Sequence, residues 1–403
     1  MTENKIASEH IPCVITVGLD ERREIMKLGL VLFVKFAVFF TAGAVGEAGS
    51  LGTSGYFPVS QHGKWGYINE TGQVKIDFQF DEAGFFSEDF GAVKIKEKWG
   101  YIDATGKLMI EPQFDFVHPF AEGLALVWIG GRKGKTGWTG GRYYYIDGTG
   151  KAVINVDFDL ADDFAGGLAR IWDGGRCGYT NKKGEIVIEP QYTYGGEFSD
   201  GLAAIWIGEA YTAQELIEQG IVEYYDEYDS AFVTYDGEEV EWPVGKFGYI
   251  NTSGEIVIPH RFDFASSFSE GMANVRLGQK WGYIDKNGDV VIAAEYDGAL
   301  PFSSGLAQVR LGDKWGYINK AGKMVVKAQY QSSGPFAQSL ARVQQDGKWG
   351  YINSLGKLVI EPRFDRAEDA RAGLVRVREG KDWYYLNTQG QVIWPRRGSV
   401  DKQ

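Results

Sequence analysis

Short runs in which apolar and polar residues alternate with a period of two recur along most of the chain. In the run from Trp315 to Asn319, Trp315, Tyr317 and Asn319 alternate with Gly316 and Ile318, which predicts a strand. The run closes on Asn319-x-x-Gly322. An Asx side chain can bond the turn backbone and glycine accepts the left-handed conformation, so a tight turn and a hairpin follow. The second predicted strand is Lys323–Tyr330, β-branched at its centre. In related runs Pro112, Pro190 and Pro362 stand just before the closing aromatic, which suits an edge strand or a bend. A connector of the form Phe/Tyr-Asp-x-Ala-x-x-Phe-x-x-Gly-Leu-Ala, clearest at Phe262–Ala273, leads into a third strand; Leu306–Arg310 is the copy before Trp315.

This pattern is a repeat. Copies of Trp-Gly-Tyr-Ile start at Trp65, Trp99, Trp281, Trp315 and Trp349, a close copy (Trp-Tyr-Tyr-Leu) at Trp383, and degenerate ones at Tyr143, Cys177 and Phe247. Six of the eight steps are 34 residues; the others are 44 (99 to 143) and 70 (177 to 247). Each copy has a turn glycine at the same offset: Gly72, Gly106, Gly150, Gly184, Gly254, Gly288, Gly322, Gly356 and Gly390. One such unit cannot bury its apolar face alone, so stacking must make the core continuous. The fold class expected is all-β, nine tandem three-stranded units. An open solenoid or spiral is favoured, because nine three-stranded units exceed the four to eight four-stranded blades usual in propellers. A closed, propeller-like array is the alternative.

The repeated Lys-Trp-Gly-Tyr-Ile-Asn/Asp-x-x-Gly, followed by an apolar pair and an aromatic-Asp, resembles the WG-repeat proteins over roughly residues 56–394. The match departs at Tyr143-Tyr144, where Trp-Gly is lost, and at Cys177 and Phe247. The resemblance implies a mostly bacterial binding module and brings no catalytic residues with it.

Two insertions break the period in the same turn, between a third strand and the next first strand. Residues 130–142 are glycine-rich and basic, with Trp138; no phosphate-loop signature is present, so a loop is expected. Residues 208–245 are acidic, with a capping box from Thr212 to Glu215, a short helix closed by Gly220, and then Tyr224, Tyr225 and Tyr228. Between them the third strands place Trp128, Trp172 and Trp206 in one column, opposite in facing to the core valine. These three form the candidate binding strip, a stacking surface for sugars or a protein hot spot, with Trp138 and the insertion tyrosines at its border. The competing expectation is that the insertions cover the indoles.

Other candidate chemistry is sparse. A column of aspartates (Asp81, Asp115, Asp159, Asp263, Asp297, Asp365) could suggest a metal ladder, but Thr193 and Gln331 replace it in two units, so capping of the connector turn is expected. His10, His62, His118 and His260 lack metal-ligand spacing, and no nucleophile elbow occurs. Cys13 and Cys177 make no disulfide framework, and Cys177 reads as a small buried hydrophobe. A net charge of −12 disfavours nucleic acid. No cofactor, metal or catalytic residue is expected.

Residues 1–25 match nothing later and read as a mis-assigned start or a disordered leader. Residues 26–48, with an apolar run over 28–45, have the layout of a cleaved secretory signal; a membrane anchor is the alternative, and the only membrane contact expected. Residues 395–403 form a basic tail. The function expected is an exported, non-catalytic scaffold of the cell envelope or medium that binds a protein. A carbohydrate-binding module is the rival, and a hydrolase with a site on the acidic insertion comes third.

Overall fold

The computed structural model describes residues 55–134, 137–208, 224–226, 231–233 and 245–395. Within these residues the repeat builds nine separate antiparallel sheets, or blades, spanning 57–80, 82–114, 116–156, 160–192, 194–262, 264–296, 298–330, 332–364 and 366–394. Blade seven shows the plan: a short strand Gly298–Ala299, a Leu-Ala strand Leu306–Leu311, a Trp-Gly strand Lys314–Asn319 and a closing strand Met324–Tyr330, hydrogen-bonded in that order. Three of these are the strands expected from the alternation. The fourth, the short strand, lies inside the presumed connector; two residues are too few to show a period. Blade one has only the three long strands among the described residues.

The Asn-x-x-Gly turn forms as its chemistry requires. Asn319 Oδ1 accepts the amides of Ala321 and Lys323 at 3.1 and 3.0 Å, and Gly322 adopts φ of 73°. The glycine after each tryptophan has a different reason. A Cβ on Gly66, Gly100, Gly178, Gly248, Gly282, Gly316 or Gly350 would lie 2.4–2.6 Å from a carbonyl oxygen of the closing strand. That strand bulges there: Trp315 pairs with Tyr330 but Tyr317 with Val326, three residues opposite one. Pro112, Pro190 and Pro362 sit in this bulge on the blade's edge. Blade three has Tyr144 in place of the glycine, and there the pairing runs regularly through Tyr143–Val156, Tyr144–Asn155 and Tyr145–Ile154. Loss of the glycine and loss of the bulge go together.

The array closes into a nine-bladed propeller, which corrects the expectation of an open spiral. Each repeat tyrosine is buried and reaches into the following blade: Tyr67 Oη bonds the carbonyls of Gly84 at 2.8 Å and Ala92 at 3.5 Å, and Tyr283 those of Leu300 and Gln308 at 2.8 and 3.5 Å. Tyr385, in blade nine, bonds the carbonyl of Pro58 in blade one at 3.1 Å. Ala92, Gln308 and Pro58 all stand seven residues before their blade's Trp, so blade nine treats blade one as its next neighbour. Phe57, Val59 and Ile68 form one core cluster with Leu374 and Tyr385, and Phe78 stacks on Trp394 at 5.8 Å. Small blades leave room for a ninth: each interface turns the chain by a ninth of a circle, and side chains, not a shared strand, seal the join.

The aspartate column is mortar. Asp297 Oδ2 accepts the amide of Gly312 in the hairpin turn of its own blade at 2.7 Å while Oδ1 takes Lys280 of the preceding blade. Asp81, Asp263 and Asp365 repeat this with Lys64, Lys246 and Lys348. The turn capped is thus the hairpin fifteen residues on, and the cap also joins two blades. Among the described residues no group of three or more His, Cys, Asp or Glu is arranged to hold a metal.

Both insertions carry a two-stranded ribbon, Arg132–Gly134 with Gly137–Thr139 and Tyr224–Asp226 with Ala231–Val233. The smaller is therefore a β-ribbon and not an irregular loop. The helix expected near Thr212–Gly220, residue Tyr228, the leader, the apolar segment over 28–45 and the tail beyond Pro395 lie outside the described residues.

Candidate functional site

One row of residues crosses each blade a single pair away from the hairpin between the Leu-Ala and Trp-Gly strands, and so lines one rim of the ring. Across the two central strands it reads Ser60–Trp65, Lys94–Trp99, Trp128–Tyr143, Trp172–Cys177, Trp206–Phe247, Arg276–Trp281, Arg310–Trp315, Gln344–Trp349 and Arg378–Trp383. Each blade has one indole in this pair, never two and never none. In blades three, four and five the indole has crossed to the neighbouring strand, and Tyr143, Cys177 and Phe247 fill the position it left. The degenerate repeats and the Trp128, Trp172, Trp206 column are thus one fact. Where the indole keeps its usual strand, a cation often lies over it: Lys94 over Trp99 at 5.8 Å, Arg310 over Trp315 at 5.9 Å and Arg378 over Trp383 at 5.9 Å.

This corrects the expectation of an exposed strip of three tryptophans. Trp128 and Trp206 are buried, 5% and 1% exposed, and Trp172 is half-buried. The feet of the insertions do the covering. A Cβ on Gly131 or Gly141 would stand 2.3 or 2.4 Å from the Trp128 indole, and one on Gly245 2.3 Å from Trp206. Tyr143 also stacks on Trp128 at 6.1 Å. Of the bordering residues, Trp138, Tyr224 and Tyr225 lie in the ribbons.

The exposed feature of this rim is one strand further across. There the row continues into the short strand as Phe116 beside Trp128, Leu160 beside Trp172, Tyr194 beside Trp206 and Phe264 beside Arg276. Tyr194 is 38% exposed and Phe116, Leu160 and Phe264 are part-exposed. Rings connect along it: Tyr194 to Phe247 at 5.7 Å, Phe247 to Phe264 at 5.2 Å, Phe264 to Trp281 at 5.3 Å. Elsewhere the same position holds Glu82, Gly298, Ser332 and Arg366. The rim is therefore apolar and aromatic over blades three to six and polar over blades two and seven to nine. Sequence reasoning missed this arc; aligning the residue after each connector aspartate would have found it.

A charged network borders the arc one layer down. His118 is buried with Nδ1 3.0 Å from Asp163 of the next blade. Burial opposes its protonation, but the charge and hydrogen bond of Asp163, with Asp162 behind, outweigh that and hold the imidazolium above its usual range. Arg170 bridges Asp162 at 2.6 Å and Glu197 at 3.4 Å, donates to the Gly195 carbonyl at 3.0 Å, and lies 5.1 Å over the Trp172 ring. Asp163 and Glu197 keep 39% and 51% of their side chains in solvent, so the network offers negative charge beside the aromatic arc. Cys177 is wholly buried, and burial pushes its thiol up to about 12; it packs and does not react.

Similarity to known proteins agrees with this architecture. No curated protein matches the chain in sequence. A crystal structure of a eukaryotic initiation factor is similar at a TM-score of 0.54 with 9% identity, covering 84% of this chain and 94% of that one. Kluyvelomyces marxianus Hsv2 is similar at a TM-score of 0.36 with 10% identity, covering 70% and 95%. The first likeness concerns fold alone, and nothing is built on the second. The model of the WG containing repeat matches eight times, over residues 65–99, 99–132, 145–176, 178–207, 247–281, 281–315, 315–349 and 349–383. Its matches cover most of the ring, blades with exchanged indoles included, and the chain belongs to the WG-containing repeat family.

Proposed function

We propose that the protein is a non-catalytic binding scaffold that docks a protein partner on the rim of blades three to six. Leu160, Tyr194 and Phe264 supply the apolar platform, and Asp163 and Glu197 its charged border. The observation that carries this reading is the confinement of apolar residues to four consecutive blades of a ring built from one repeat. Packing does not demand them, because blades seven to nine fold with Gly298, Ser332 and Arg366 at the same place. The two insertions interrupt blades three and five, within the four blades that carry the platform. Aromatic residues would give most of the affinity and the carboxylates would tune rate and selectivity.

The test is site-specific photocrosslinking in the native host. A photoreactive residue at Leu160 or Tyr194 should yield a discrete protein adduct, and one at Gly298 or Ser332 should not. Equal adducts at all four positions would remove the privilege given to this arc. A carbohydrate partner is the second reading, motivated by the part-exposed rings of Tyr194 and Trp172; saturable glycan-array binding lost in Tyr194→Ala would favour it over a protein. Export belongs to the same proposal and rests on the signal-like segment at 26–48. Intact mass of protein from the native host should lack that segment, and retention of Met1 would contradict export by cleavage.

A further inference from the structure

Every blade ends in a closing strand that no other strand covers among the described residues, and such an edge is a template for another chain. Most blades guard it. Blades two, four and eight place Glu-Pro at its centre (Glu111-Pro112, Glu189-Pro190, Glu361-Pro362), blade five Pro259, blade one Asp77 and blade seven Lys327. Proline removes a donor and a charge resists burial under an added strand. Blade three has a shorter edge, Ala152–Val156, and blade nine only Val392–Trp394. Blade six differs from all of these. Its closing strand is Val290-Val291-Ile292-Ala293-Ala294-Glu295-Tyr296, with neither proline nor charge at the guarding positions. Val290 and Val291 are 49% and 45% exposed, and Ala293 is exposed beside them.

We infer that the edge of blade six accepts an extended strand of a partner protein as a fifth strand. This site is separate from the aromatic rim and does not depend on it. All seven residues retain a backbone N–H, and although the strand bulges opposite Gly282 as its counterparts do, no other strand covers its outer edge among the described residues, so its outward-facing main-chain groups can bond an added strand. Charge selects the occupant. Asp289 stands just before the strand and Glu295 near its end, both exposed. A second copy paired antiparallel about Ile292 would set Asp289 of each chain against Glu295 of the other, a like-charge contact at both ends. A β-branched segment with a basic residue at each end meets carboxylates instead.

The probe is a fluorescein-labelled peptide Lys-Thr-Val-Thr-Val-Thr-Lys, titrated with the full chain and followed by anisotropy. Saturable binding is expected, with at least a tenfold loss in the double variant Ala293→Glu, Ala294→Pro. That variant copies what blades two, four and eight already carry, so the fold should tolerate it. Ala293→Lys, the residue type of blade seven, gives the same test if the first variant misfolds. The inference is overturned if the wild type does not bind the peptide, if guarding blade six leaves binding unchanged, or if a peptide with central proline binds equally. It is also overturned if sedimentation shows the chain dimerising until blade six is guarded, since the occupant would then be a second copy.

Discussion

Blades four and seven are built from the same four strands at the same register, yet they carry their indole on opposite central strands. In blade seven Trp315 lies under Arg310; in blade four Trp172 stands opposite Cys177, with Arg170 over it from two residues away. The difference teaches what the repeat conserves physically. It keeps one indole per cross-strand pair on the rim, not a tryptophan at one position, because the indole can be supplied from either side. Where the indole sits on the Leu-Ala strand, the short strand sets Phe116, Leu160 or Tyr194 beside it. The exchange alone does not explain the arc, since Phe264 extends it into blade six, where Trp281 keeps its usual strand; the insertions interrupt blades three and five, two of the three blades with the exchange.

The largest effect that separates the two regions is expected from truncating the exchanged indole. Trp206→Ala should cost roughly 3–5 kcal/mol, as for large buried side chains, whereas Arg310→Ala, at the equivalent exposed position, should cost under about 0.5 kcal/mol. Denaturant unfolding, with hydrogen exchange to localise the loss to blade five, measures both; equal losses would break the comparison. Next comes the glycine of the bulge. Gly282→Ala should cost about 1–3 kcal/mol by overpacking against the Ile292 carbonyl. Tyr144→Ala in blade three relieves no such contact and should leave the regular pairing there intact by amide exchange. Movement of the blade-three pairing toward a bulge in that variant would refute the link between glycine and bulge.

A smaller effect concerns His118. Its protonated form is favoured in the folded ring, so its contribution is complete below the unfolded value of about 6.5 and is lost as pH rises through the higher folded value. Imidazole NMR should place its midpoint above 6.5, and Asp163→Asn should bring it down; a midpoint unmoved by that substitution would remove Asp163 as the cause. The smallest effects belong to the Lys–Asp mortar. Asp81, Asp297 and Asp365 are held below their usual range, first by the bonded lysine and then by the turn amide. Their contribution is present above about pH 3.9 and lost as pH falls through the lowered values. Each pair is exposed, so Lys280→Met should change stability least of these variants, and less again at high salt, by denaturant unfolding.

Much of this architecture is legible in the sequence, because period two, Asn-x-x-Gly and the 34-residue step are local. Ring closure is not: whether a repeat spirals or closes depends on the small rotation at each interface, and the contacts of blade nine with blade one, such as Tyr385 with Pro58 and Trp394 with Phe78, record the sum. The short strands escaped because in six blades they have two residues, too few to carry a period, and in blades two and four a register shift breaks the six-residue strand. The three tryptophans were rightly singled out as unusual, but alternation alone cannot distinguish a rim position left open from one covered by the glycines at an insertion's foot. Cys177 held the missing clue, since a small residue in an indole's place implies that its partner, Trp172, has filled the space. The network of His118, Asp163 and Arg170 spans two blade interfaces, and no spacing in a single repeat announces it.

The claim on which the comparison rests is that the two central strands share one indole. The most direct measurement is a double-mutant cycle in blade five on Trp206→Arg and Phe247→Trp, followed by denaturant unfolding. Each single variant should be destabilised, the first by a guanidinium in place of a buried indole and the second by a second indole beside Trp206 where Phe247 fits. The double variant, which restores the arrangement of blades six, seven and nine, should recover much of both losses, with a favourable coupling of about 0.5–3 kcal/mol. Losses that simply add would mean the two positions do not share the indole, and the account of blades three to five would fail with them.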